Sequence, residues 1–296
     1  MDKKNIVSKI SESPIDVGSD CSKPKNCSTA TDDYYNKNCG FKNTYFVRKN
    51  NINIRVKKRG TNKKTSFEVS DIHKSLLVNI SKLKAPTIIL KNVLPIIMGG
   101  RDLVAITPVG SAKTTGFVIP IMNCLLNNLP EINDEIRRCD PLAIIMVPTK
   151  RAVEKVYDFT CRLINDTSII CIPLYDIEST ADNKQKIKNG VHVIVTTPES
   201  LASFVGAGLV IFTALQYVVF DEVDLILTRG FKPEIEYILN HKTMVSKDKR
   251  STALFSMTML DDVKQLAKTY LKPNYISLFT IPDSSMYVQC PYPNII

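Results

Sequence analysis

The chain has 296 residues, of which 44% are hydrophobic, and a formal net charge of +10 at pH 7. That apolar content builds an ordinary globular core and excludes a fibrous or wholly disordered chain. The length allows one large domain or two smaller ones, and the positive charge fits a polyanionic partner or plain solubility equally well.

Met1-Asp2-Lys3-Lys4-Asn5 leads into no apolar h-region, so no secretory leader is expected. No uninterrupted apolar run reaches the roughly 20 residues of a membrane span. The eight cysteines show no metal-like spacing. Cys21, Cys27 and Cys39 lack a C-x-x-C pair, and Cys124, Cys161 and Cys171 read as small core residues within apolar segments. An intracellular, reducing compartment is expected.

Residues 1–64 are rich in Ser, Asn, Lys and Asp, without helical or strand periodicity, and are expected to be disordered. They end in Arg55, Lys57, Lys58, Arg59, Lys63 and Lys64, a basic run suited to a phosphate backbone or to a solubilising linker. Helical spacing predicts a helix over 72–83. A strand is expected at 103–106 and an apolar helix at 114–126. Short continuous apolar runs at 142–147, 169–174, 191–195, 217–220 and 253–255 predict strands covered on both faces. Helices are expected between them at 152–164, 200–205, 233–239 and 260–270. The alternation predicts an α/β fold, a doubly wound parallel sheet with ligands at the C-terminal ends of its strands. A single domain over 65–282, with a tail at 283–296, accommodates these elements.

Two strand ends carry chemistry. Gly110, Ser111, Ala112, Lys113 and Thr114 follow the strand at 103–106. A loop of this kind turns successive N–H groups and a helix N-terminus towards an anion. Lys113 would neutralise the β and γ phosphates, and the Thr114 hydroxyl would ligate magnesium. The strict G-x-x-x-x-G-K-[ST] pattern is not met, since Ala112 precedes Lys113 and Thr107 stands near the first glycine position. Asp221, Glu222 and Asp224 follow the apolar run Val218-Val219-Phe220. Carboxylates so placed can hold magnesium and position an attacking water, or can be a solvated acidic loop. Taken together, the two segments favour an NTPase-type core.

With these residues in view, 67–279 resembles the first RecA-like domain of the DEAD-box RNA helicases, nearest the Vasa-like branch. Gly100-Arg101-Asp102-Leu103 resembles the family's G-R-D-L, and Gly110-Ser111-Ala112-Lys113-Thr114 its G-S-G-K-T. Phe117 to Pro120 resembles F-x-x-P; Pro148-Thr149-Lys150 resembles the start of P-T-R-E-L, and Thr197-Pro198 that of T-P-G-R. Asp221-Glu222-Val223-Asp224 stands where D-E-A-D does, Gly230-Phe231 matches G-F, and Ser256-Met257-Thr258 stands for S-A-T. The resemblance implies ATP and Mg2+ as ligands, with Lys113, Thr114 and Asp221 at phosphate and metal and Glu222 orienting the attacking water. It implies that Asp224 pairs with Ser256 and Thr258 to couple nucleotide and RNA. It also implies that Pro148, Thr149, Lys150, Thr197 and Pro198 lie along an RNA backbone read by shape rather than sequence. The compartments it implies are the cytoplasm, the nucleus or ribonucleoprotein granules.

The departures from the pattern carry expectations of their own. Leu90 stands where the family has an adenine-reading glutamine, and the aromatic before it falls in a deletion, so adenine selectivity should be weak. Ala112 adds a Cβ where the backbone approaches phosphate. Lys150-Arg151-Ala152 replaces R-E-L, and Glu199-Ser200 replaces G-R, placing a carboxylate where RNA phosphate would pass. The family's paired-glycine turn is unrecognisable in Tyr175-Asp176-Ile177-Glu178. No second RecA-like domain with an arginine finger is expected in this chain, so hydrolysis should be very slow. These departures keep a second reading open, a catalytically impaired pseudo-helicase that binds protein or RNA.

Overall fold

The computed structural model describes residues 44–49, 52–58, 72–80, 88–107, 113–129, 140–175, 187 and 190–282. The expectations for Gly110, Ser111, Ala112, Arg59, Lys63, Lys64, Asp176, Ile177, Glu178 and the tail at 283–296 lie outside the described residues.

Nine strands form one sheet among the described residues: β1 (Thr44–Lys49), β2 (Ile52–Lys58), β3 (Leu103–Ile106), β4 (Ala143–Met146), β5 (Cys171–Leu174), β6 (Val193–Thr196), β7 (Tyr217–Phe220), β8 (Ser251–Ser256) and β9 (Ile276–Pro282). Their spatial order is β1-β2-β9-β3-β8-β7-β4-β6-β5. The seven strands from β9 to β5 are mutually parallel, whereas β1 and β2 are an antiparallel ribbon laid on the outer edge of β9. The expected parallel sheet is therefore present. The ribbon lies in the segment read as having no strand periodicity. Its signal was an alternation over a few residues, Ile52-Asn53-Ile54-Arg55-Val56, embedded in polar and basic sequence.

The helices are α1 (Lys74–Ile80), α2 (Ile88–Met98), α3 (Lys113–Asn127), α4 (Lys150–Leu163), α5 (Pro198–Gly206), α6 (Val223–Thr228), α7 (Lys232–Leu239) and α8 (Asp261–Tyr270). Successive strand residues face opposite ways and so divide the core in two. Leu103 and Ala105 of β3, Ala143 and Ile145 of β4 and Phe255 of β8 pack with α1 to α4. Val104, Ile144, Met146 and Leu254 pack with α5 to α8. Both faces are covered, which explains the unbroken apolar runs of β4, β6 and β7.

Two of the sequence markers prove to be structural. Gly100 ends α2 with φ +66 and Gly230 ends α6 with φ +87, a left-handed conformation that glycine adopts without strain. In each, the glycine N–H and the next residue's N–H bond back to the last turn, Gly100 to Ile97 and Arg101 to Ile96, Gly230 to Leu227 and Phe231 to Ile226, closing a Schellman motif. Phe117 of the F-x-x-P marker is fully buried against Phe255, ring centroids 5.1 Å apart. Asp102 is buried ahead of β3. It accepts from Thr252 N at 2.9 Å and Lys272 N at 2.7 Å, with Lys272 Nζ at 3.5 Å.

Candidate functional site

The C-terminal ends of five parallel strands meet along one rim. Thr107, just past β3, donates its N–H to Ser256 O of β8 at 2.9 Å. Past β7, Asp221 N donates to Met146 O of β4 at 2.9 Å, and Val147 N past β4 donates to Thr196 O of β6 at 2.9 Å. These bonds carry the ladder one residue beyond each strand, so the segments bearing Lys113, Asp221, Ser256, Thr149 and Thr197 leave the sheet side by side.

Asp221 and Lys113 are both buried, each 8% exposed. Burial pushes the Asp221 carboxyl up to about 6, against the pull of the Lys113 ammonium; Glu222 pushes it further, while the Glu222 N–H and Lys155 draw it down. Lysine and aspartate, distant in sequence, are thus electrostatic neighbours at one site. Lys155, on α4, was missed by the sequence reading: it lies in a solvated helical stretch, and only the fold turns its charge towards Asp221. Asp221 Oδ1 accepts from Glu222 N at 3.0 Å. Glu222 itself has φ 55 and ψ 46, left-handed backbone that costs a non-glycine residue about 1 kcal/mol. Its side chain makes no cap bond to α6.

The residues present suit an anion held through a cation. Among the described residues, Thr107 Oγ1 is a fully buried oxygen without a hydrogen-bond partner, at the end of β3. Asp221 is a buried carboxyl that a nearby divalent cation would favour in its ionised form. Thr114 lies in the first turn of α3 and is half-buried. Asp221 and Thr114 are the residues that would hold Mg2+, which supplies charge neutralisation to a phosphate when bound.

Asp224 organises the next loop. Its Oδ2 accepts from Met257 N at 3.2 Å, Thr258 N at 3.1 Å and Thr258 Oγ1 at 2.9 Å. Ser256 takes a different partner: its hydroxyl donates to Thr258 O at 2.7 Å. Asp224 is therefore joined to Thr258 directly and to Ser256 through the turn. Replacing Asp224 by Ala should speed amide exchange at Met257 and Thr258 by about tenfold, one hydrogen bond's worth; exchange followed by NMR checks it, and unchanged rates would mean the turn holds itself.

Thr149 is the N-cap of α4, its Oγ1 accepting from Ala152 N at 3.1 Å. Thr197 caps α5, accepting from Ser200 N at 3.3 Å and donating to Ser200 Oγ at 2.9 Å. Both hydroxyls are therefore engaged within their own helices, and Pro148 and Pro198 are buried beneath them. What faces outward at these helix starts is backbone, the positive end of each dipole, together with exposed Lys150, whose Nζ stands 4.5 Å from the centre of the Tyr175 ring. Glu199 is exposed in the first turn of α5.

A doubly wound parallel sheet with a lysine-headed helix and an acidic strand end on the same rim is a RecA-like domain. The DEAD/DEAH box helicase family model matches residues 87–266, and the chain belongs to that family. It is similar to a probable ATP-dependent RNA helicase, vasa-like, of Penaeus vannamei: 30% identical over 213 residues, 71% of this chain and 30% of the relative. It is 32% identical over 228 residues to the ATP-dependent RNA helicase glh-3 of Caenorhabditis elegans, 76% of this chain and 32% of the relative. The chain thus spans about a third of the length of these relatives. Among solved structures, a yeast DEAD-box splicing factor superposes with a TM-score of 0.66 at 22% identity, over 73% of this chain and 50% of that one. A DEAD box protein from the hyperthermophile Methanococcus jannaschii gives 0.59 at 27% identity, over 70% and 53%.

Proposed function

We propose that this domain binds a magnesium–nucleoside triphosphate at the β3–β7 rim and an RNA backbone across the starts of α4 and α5. The observation that carries the reading is the buried Lys113 acting on buried Asp221 from a helix that begins one loop after β3. Lys113 would neutralise the outer phosphates, Thr114 and Asp221 would hold the metal, and Glu222 would orient the water for hydrolysis. Asp224, bonded to the 257–258 turn, would pass a change at the nucleotide to the neighbouring rim. The α4 and α5 N-termini, with Lys150, would accept phosphates without reading bases.

Leu90 falls within α2, in the place of the family's adenine-reading glutamine, so the triphosphate rather than the base should carry affinity. Calorimetric titration with Mg·ATP and Mg·GTP tests both ideas. Binding is expected to be lost in Lys113→Ala, with an ATP preference of less than about tenfold, roughly 1.4 kcal/mol. An affinity unaffected by the substitution would overturn the phosphate assignment, and a strong ATP preference the argument from Leu90. A second reading, an impaired helicase retained as a protein- or RNA-binding module, is favoured by exposed Glu199 at the α5 start, where it opposes phosphate.

A further inference from the structure

Away from the rim, α4 packs against β5, and at that contact the structure places two thiols together. Cys161, in the last turn of α4, is half-buried, whereas Cys171, which opens β5, is 8% exposed. The two side chains hydrogen-bond to each other, and the Tyr157 phenol, one helical turn before Cys161, bonds to the Cys161 sulfur. Both cysteines are free thiols. A pair of apolar core residues would not need this arrangement, and nothing in the nucleotide or RNA reading uses it.

We infer that Cys161 and Cys171 form a reversible dithiol–disulfide site whose substrate is a hydroperoxide. The attacking and resolving roles follow from the surroundings. Cys161 is the more accessible sulfur. The Cys171 thiol stabilises its thiolate most, burial opposes this, the Tyr157 hydroxyl adds to it, and Asp158 opposes it; together they lower its pKa below the ordinary thiol value. Cys171 is pushed well above that value by its bond to Cys161, then by burial. A thiolate is the nucleophile, and low pKa with access marks the peroxide-sensitive cysteine.

The chemistry balances with the peroxide as the oxidant. Cys161 Sγ attacks one peroxide oxygen; the S–O bond forms, the O–O bond breaks, and the departing hydroxide or alkoxide takes up a proton. Sulfur is oxidised by two electrons, and the peroxide is reduced to water or alcohol with Cys161 left as a sulfenic acid. Cys171 Sγ then attacks Cys161 Sγ; the S–S bond forms, the S–OH bond breaks, and the hydroxide leaves as water with the Cys171 proton. A cellular dithiol would return the pair to the reduced state. The link closes a short loop between a helix and a strand already in contact, so oxidation demands little rearrangement.

Peptide mass mapping of the full chain after hydrogen peroxide and alkylation tests this. The expected product is a 161–171 link two hydrogens lighter than the reduced pair, reversed by dithiothreitol. Cys171→Ser should trap a dimedone adduct at Cys161, and Cys161→Ser should leave Cys171 reduced. Cys124, whose thiol burial pushes up, is the internal comparison: iodoacetamide should modify Cys161 about tenfold faster or more at neutral pH, in proportion to thiolate. Cys161 and Cys171 both still alkylatable after an exposure that oxidises glutathione would overturn the inference. So would Cys161 driven to sulfinic acid without a link.

Discussion

Replacing Asp221 by Asn is expected to weaken magnesium–nucleotide binding by on the order of a hundredfold while making the unliganded chain more stable, since removing one member of a buried charge constellation costs several kcal/mol of binding. The two effects share one cause. Burial raises the folded-state pKa of Asp221 from 3.8 to about 6 even with Lys113 near it. A raised pKa means that the folded chain prefers the protonated form. This group's contribution is therefore most favourable below the unfolded value and is lost as pH rises through the window from 3.8 to about 6. At neutral pH the unliganded chain holds the carboxylate at a cost of about 1–3 kcal/mol, which Asn removes. Bound Mg2+ would offset the same cost, so the wild-type chain should gain more stability from Mg·ATP than the variant does. Urea unfolding at pH 5 and pH 7, with and without Mg·ATP, checks this. Equal stabilities at pH 7, or undiminished binding by Asp221→Asn, would show that the carboxyl is an ordinary buried acid.

The second large effect belongs to the opposite end of the sheet. Asp102→Ala should destabilise the chain by about 3–5 kcal/mol, because it leaves amide donors and a lysine without their buried acceptor. The carboxylate joins β8 through Thr252 N and the approach to β9 through Lys272 N, at 2.9 and 2.7 Å. Burial still pushes its carboxyl above the ordinary value, against the Lys272 and Thr252 donors. Denaturant titration gives the loss directly, and a change below about 1 kcal/mol, the worth of one ordinary hydrogen bond, would mean water replaces the carboxylate at both amides. Nucleotide binding by the surviving folded fraction should be unchanged, since Asp102 lies at the far end of β3 from Lys113.

Much of this architecture was legible wherever apolar runs had clear stops. The strand at 217–220 was placed to the residue because Asp221 ends it, and β3 likewise. Helix α2 was not read, since Ile88–Met98 is apolar nearly all round and carries Pro95, and both features blur a helical stripe. Helix α6 was hidden by its own function: Asp224 made the segment look like an acidic loop. The closeness of Lys113 to Asp221 was inferred from motif order, as sequence gives no distances. Asp102 was noticed only as a letter in G-R-D-L, since nothing local points to an amide at Lys272. Thr149 and Thr197 showed the pattern of helix caps in advance, yet were read solely for RNA. The thiol contact between Cys161 and Cys171 spans a helix and a strand, and spacing alone could not reveal it.

The antiparallel ribbon of β1 and β2 has a consequence for the molecule among its copies. Strand β9 pairs with β3 over Ile276 to Phe279 and with β2 along its whole length, from Lys58 opposite Ile276 to Ile52 opposite Pro282. Without the ribbon, a seven-residue β-branched and aromatic strand would present unpaired amides and carbonyls to solvent, a template for edge-to-edge aggregation. The ribbon moves that exposed border outward to β1, whose Arg48 and Lys49 bring cationic repulsion between like molecules.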